Sequence, residues 1–243
     1  MFAITYLTFN HNVVIGPLIM YSILFFLCIY GYVKRSSIDK NISLYNTIIV
    51  AVFGLLNSIL LLVASDLNTG YTAGVLPAGL FFGLILTPLT WMTGITLFSS
   101  INREKVPTMV KAGYFLTFIQ TILIVIVIAF LTKYLNQPNG NEYASSIFSN
   151  TYIATTSINW VYFMLYAALV IYYRFEYGER LCNALIVFGV LNTIRLITET
   201  VFLVQGGNLQ VTTFLYIVFF FTDFVSSISL YVGIHFFKNL DFD

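Results

Sequence analysis

Residues 44–65 read LYNTIIVAVFGLLNSILLLVAS, without one charged side chain. A helix that crosses a bilayer needs about 20 mainly apolar residues. This run meets that length, so it predicts a transmembrane helix. Working outward, comparable stretches cover roughly 13–33, 76–99, 107–132, 152–173, 181–204 and 211–237 by the same measure. The expected fold is therefore an all-α membrane protein, with one seven-transmembrane-helix bundle over residues 1–243. The connections are too short for a separate soluble domain.

Composition agrees. The chain is 59% apolar and 9% charged, against about 25% charged in soluble domains. A net charge of +1 lacks the basic footprint that nucleic acid requires, so no nucleic-acid partner is expected. Cys28 and Cys182 fall in or beside helices, which argues against a disulfide framework. Residues 1–12 lack a basic start, and the first apolar run is long enough to span. No cleavable signal is expected.

Lys and Arg collect on cytoplasmic connections. Lys34, Arg35 and Lys40 lie on the first connection, and Arg103, Lys105 and Lys111 on or after the third. Arg174 and Arg180 lie on the fifth, and Lys238 in the tail; the opposite side holds only Lys133. The N-terminus is expected outside (extracellular or lumenal) and the C-terminus in the cytoplasm. The glycosylation triplet Asn41-Ile42-Ser43 then faces the cytoplasm, unused.

The quoted stretch has a near-copy. Val52-Phe53-Gly54-Leu55-Leu56-Asn57-Ser58-Ile59 aligns with Val187-Phe188-Gly189-Val190-Leu191-Asn192-Thr193-Ile194 at an offset of 135. Read as duplication, stretches 1–3 and 5–7 form parallel repeats around the fourth, a three-one-three plan with a site between the halves. Residues 133–151 form the longest polar connection, with turn chemistry at Pro138-Asn139-Gly140. Tyr71, Tyr134, Tyr152, Tyr172 and Tyr173 fall near expected helix ends, where interface anchoring accounts for them.

Ionisable residues inside apolar spans are the main functional clue. Arg195 and Glu199 are four apart and share a helix face; Asp223 sits mid-way in the last stretch. Each such charge costs about 2.5–3.5 kcal/mol at the centre of a spanning helix, so all three should face the bundle interior. Two readings stand side by side: an ion pair or triad that fixes packing, and a ligand, ion or proton site. The candidate ligand- or ion-binding set is Arg195, Glu199, Asp223, Asn192, Asn57, Thr87 and Ser227. Thr90, Gln120, Asn159, Thr198 and Ser226 add polar groups, although many Ser and Thr hydroxyls only bond back to their own helix. Pro88 interrupts the third stretch and frees a carbonyl one turn earlier.

Catalytic constellations are missing. His11 and His235 lie at opposite ends of the chain, and no nucleophile elbow, P-loop or dinucleotide fingerprint occurs. Neither catalytic residues nor a metal site are expected.

Several strings resemble the microbial (type 1) rhodopsins. Leu86-Thr87-Pro88-Leu89 is similar to that family's third helix, and Val190–Leu196 can be laid on its sixth. Thr222-Asp223-Phe224-Val225-Ser226-Ser227 is similar to the segment where an Asp precedes the retinal-bearing lysine by four. The resemblance implies an opsin-like bundle. The departures are large: Ser227 stands at the lysine position, Gly79 and Phe82 replace the third-helix Arg and counterion Asp, and Gly83 and Asn192 replace two tryptophans. Covalent retinal is therefore not expected, and no other cofactor is implied. Fainter likenesses touch fungal lipid-translocating exporters, plant proteins supporting tobamovirus multiplication, and three-one-three sugar transporters.

The leading expectation is a retinal-independent, opsin-related, non-enzymatic protein that binds or senses a small ligand in a polar intramembrane cavity. The alternatives are a transporter or channel for a small polar solute, cation or proton, and a structural subunit of a membrane complex. The lipid bilayer is the expected environment; an unidentified small ligand or ion and a separate cytoplasmic or membrane partner follow, with room for a homo-oligomer.

Overall fold

The computed structural model describes residues 11–34, 42–66, 72–101, 107–136, 142–173 and 179–205, with Phe221, Phe224, Val225 and Ile228. The main segments are six helices: α1 His11–Lys34, α2 Ile42–Asp66, α3 Thr72–Ile101, α4 Pro107–Asn136, α5 Glu142–Tyr173 and α6 Glu179–Gln205. The shortest has 24 residues and the longest 32. At 1.5 Å per residue that is about 36–48 Å, more than a hydrocarbon core of about 30 Å. Five helices carry stretches long and apolar enough to cross: Ile15–Val33, Leu44–Ala64, Pro77–Thr96, Thr108–Lys133 and Asn150–Tyr172. The chain is an all-α, multi-pass membrane protein.

This corrects the expected count of seven. Among the described residues there are six helices, five of spanning character. The seventh stretch, 211–237, lies outside the described residues except for the four single positions above. The three-one-three repeat needs that stretch as its last member, and falls with the seven-helix fold. α6 carries Asn192, Thr193, Arg195, Thr198, Glu199 and Thr200 in its second half. Its polarity is turned inward. Asn192, Arg195 and Glu199 are buried, whereas Ile186, Val187, Val190, Ile194 and Ile197 are exposed. Such an inside-out face suits an apolar surrounding, where charge must point at protein.

A second correction concerns the connection expected at 133–151. α4 runs to Asn136 and α5 begins at Glu142. Pro138-Asn139-Gly140 falls in the sequence between them. Pro77 and Pro88 both lie within the continuous α3.

Neighbouring helices run antiparallel, and α3 is the hub. It packs against α2, α4, α5 and α6, while α1 leans on α2. On α4 the buried positions Val110, Gly113, Gln120, Ile124, Val127 and Leu131 form one stripe. The opposite stripe, Tyr114, Phe115, Phe118, Ile122 and Val125, is exposed. This spacing is the three-and-four step of a helix with one face on protein and one on lipid.

Without a hydrophobic drive between helices in lipid, close approach depends on small residues. The glycines of the two matched strings show why they look alike. Gly54 on α2 seats the ring of Tyr21 from α1, and Gly189 on α6 seats the ring of Tyr166 from α5. Shared packing chemistry accounts for the match. Gly94 on α3 is tighter in its consequences: an added Cβ would stand 2.6 Å from Phe188 and 2.9 Å from Tyr166. Both rings are fixed in a buried cluster with Trp91.

Gly94→Ala should therefore destabilise by about 1–3 kcal/mol through overpacking, read as a lower unfolding midpoint in detergent. Gly16→Ala, with nothing within 4 Å of the added carbon, should leave the midpoint unchanged or slightly raised. Equal midpoints for the two variants would contradict this packing.

Candidate functional site

The polar residues of four helices meet in the interior beside α3. α5 brings Tyr152, Thr156 and Asn159, spaced four and three apart, onto the face that meets α6. α6 brings Asn192, Arg195 and Glu199 by the same spacing. α4 contributes Gln120 from its buried stripe, and α3 contributes Thr87, one residue before Pro88.

Glu199 is 6% exposed and Arg195 is 1% exposed. The carboxylate accepts from Asn159 Nδ2 at 3.3 and 3.2 Å, one contact to each oxygen. Thr156 Oγ1 donates at 3.5 Å. Asn159 is itself held, because its Oδ1 accepts from Gln120 Nε2 at 2.7 Å. Gln120 Nε2 also reaches the Thr155 carbonyl at 3.4 Å. The donors thus run one way, Gln120 to Asn159 to Glu199, from α4 through α5 to α6. On the other flank Arg195 Nη2 donates to Thr87 Oγ1 at 2.8 Å, joining α6 to α3. Arg195 and Glu199 attract each other, and both act on the phenol of Tyr152. Among the described residues these are the only buried charges, and they balance.

Two acceptors complete the surroundings. Gln120 Oε1 and Asn192 Oδ1 are buried and make no hydrogen bond among the described residues. Asn192 spends its amide hydrogen on the Phe188 carbonyl of its own helix at 2.9 Å. A buried acceptor left unmatched costs about 1–3 kcal/mol, and hydrogen-bond donors relieve that cost.

Below this centre lies an apolar layer. Trp91 packs with Phe163, Tyr166 and Phe188 at ring separations of 5.5–6.2 Å. The tyrosine hydroxyls of the layer are committed. Tyr162 OH meets Thr117 Oγ1 at 2.6 Å and the Gly113 carbonyl at 3.2 Å. Tyr166 OH donates to the Leu185 carbonyl at 2.6 Å.

The sequence-derived candidates distribute unevenly over this arrangement. Arg195, Glu199 and Thr87 sit in the centre, and Asn192 borders it one turn from Arg195. Asn57 is buried on α2 with its amide oxygen against Gly83, one turn along α3 from Thr87. Asp223 and Ser227 lie outside the described residues. Gln120 and Asn159, which the sequence offers only as general polar groups, reach Glu199 more directly than most of the candidate set. Interface anchoring does not account for Tyr152, which faces the charged pair. Its spacing from Thr156 and Asn159 is the signal in the sequence that points there.

No family model, curated protein or solved structure matches this chain. The resemblance to microbial rhodopsins is corrected accordingly: short strings around Pro88 and in α6 are what apolar helices share by composition. The opsin-related ligand sensor falls with it.

Removing one member of the charged pair should harm more than removing both. Arg195→Met or Glu199→Leu alone strands a buried charge and should cost about 3–5 kcal/mol. The double variant should recover at least part of that loss, read from unfolding midpoints in detergent. Additive losses would show that the two charges are not coupled.

Proposed function

We propose that this membrane protein binds a small polar solute within the bundle, at the centre built by Gln120, Tyr152, Asn159, Arg195 and Glu199. The observation that supports it best is the pair of buried acceptors, Gln120 Oε1 and Asn192 Oδ1, beside a balanced charge pair. A purely structural network gains nothing from keeping acceptors unmatched. A site that exchanges its donor partner with solute does. The role is binding rather than catalysis, since among the described residues the centre offers hydrogen bonds and fixed charge but no activated nucleophile.

The same residues also hold the bundle together, because Glu199 and Arg195 tie the polar helix α6 to α5 and α3. Binding and packing are therefore one design: the groups that recruit α6 are the groups that receive the solute. The basic ends of the helices orient the protein. The connections bearing Arg103, Lys105 and Arg174 lie in the cytoplasm, and the connection after Lys133 lies outside.

Two measurements test this. Purified protein is heated with a panel of small polar compounds and salts: glycine, urea, glycerol, sodium chloride and ammonium chloride. A bound solute at 100 times its Kd stabilises by about 2.7 kcal/mol, or roughly 5–10 °C for a chain of this size. At least one compound should raise the wild-type midpoint and fail to raise that of Gln120→Leu. A flat panel would overturn the reading. For orientation, Asn139→Cys should react with an impermeant maleimide added outside intact cells, and Lys105→Cys should not; the reverse pattern would invert the topology.

A further inference from the structure

We infer that the polar centre is a one-ended site: a net-neutral, hydrogen-bonding solute reaches it along α5 from the Thr151 end and stops at the Trp91 layer. This rests on the binding role proposed above and adds the solute class and the route.

The route is written in the inner face of α5. Thr151 and Tyr152 are half-buried, and Thr155, Thr156 and Asn159 are buried. Exposure thus falls step by step toward Glu199. Every one of these side chains bears a polar oxygen. Thr151 and Thr155 donate their hydrogens to carbonyls of their own helix, at 2.7 and 2.9 Å. Their oxygen lone pairs still face a passing donor. The facing part of α6 continues the polar lining with Thr198 and Glu199.

The stop is equally specific. One turn and more beyond Asn159 the same face of α5 changes to Tyr162, Phe163 and Tyr166. α6 changes in step, from Arg195 and Asn192 to Phe188 and Leu185, and α3 from Thr87 to Trp91 and Ile95. Tyr162, Phe188 and Ile95 have no exposed surface. Both tyrosine hydroxyls in the layer already have protein partners. Among the described residues the hydroxyls at this level, those of Thr90, Thr93 and Thr96 on α3 included, are engaged, and the route ends there.

The solute class follows from charge balance. Arg195 and Glu199, the only buried charges among the described residues, compensate each other, so an incoming ion would bring an unmatched charge into an apolar interior. A net-neutral molecule with donors meets Gln120 Oε1 and Asn192 Oδ1 without that cost.

Thiol chemistry tests route and class together. Single variants Thr151→Cys, Thr155→Cys and Thr156→Cys, near in shape to the native side chains, are made in a Cys28→Ala/Cys182→Ala background. Ile95→Cys and Leu185→Cys report the apolar layer. Folded, reconstituted protein is treated with methanethiosulfonates of one size carrying a hydroxyethyl, a trimethylammonium-ethyl or a sulfonato-ethyl group. The threonine positions should react at least tenfold faster than Ile95→Cys and Leu185→Cys. At Thr155→Cys and Thr156→Cys the neutral reagent should outpace both charged ones. Equal rates in the two layers would overturn the one-ended route, and a faster charged reagent would overturn the solute class. Either failure is separable from failure of the binding role, which the solute panel reads without any cysteine. Should Thr156→Cys not fold, Thr155→Cys carries the same comparison on the neighbouring buried position.

Discussion

A carboxylate enclosed in an apolar interior must be met by donors, or it will not stay there as a charge. Glu199 meets that demand through Asn159 and Thr156 from the next helix, and Asn159 is in turn fixed by Gln120 from the helix beyond. This requirement sets more than one contact. It fixes the rotation of α6 about its axis, because only one face can present Glu199 and Arg195 inward. It fixes the face that α5 turns to α6. It also selects which stripe of α4 is buried, since Gln120 must point at Asn159. The exposed stripes of Ile, Val and Phe on α4 and α6 are the complement of that choice.

The apolar layer answers a different demand. Where hydrogen bonds give out, helices approach by shape alone, and glycine lets rings sit against backbone. Gly94 and Gly189 admit Phe188 and Tyr166 so closely that a methyl group would collide. Polar and aromatic layers are thus stacked along one bundle. The first holds charges in register, and the second closes the interior beneath them. The stacking gives the centre a direction, which a uniform polar seam would lack.

Much of this was legible in the residue pattern, for reasons that can be named. The uncharged run 44–65 and its companions announced spanning helices because length and hydropathy act locally. The cost of a charge in apolar surroundings made Arg195 and Glu199 point inward before any contact was known. What failed was global. A count of seven was carried by stretch 211–237, whereas six helices stand among the described residues. The opsin likeness rested on short strings that packing chemistry reproduces, as Gly54 and Gly189 show. The start of α5 at Glu142 was missed because the serines and asparagine before residue 152 lower hydropathy without breaking a helix. The partners of Glu199 were hidden too. Which of many polar residues meet depends on helix rotation and depth, and these are set between helices rather than within one.

The central claim is that Asn159 and Glu199 bind each other across α5 and α6 and so organise the interior. A double-mutant cycle with Asn159→Leu, Glu199→Leu and the combined variant, followed by chemical unfolding, measures that bond directly. The account predicts a coupling of at least about 1 kcal/mol, with the second substitution costing little once the first is made. Strictly additive losses would mean that the two side chains do not meet, and the polar centre would have to be rebuilt around other contacts.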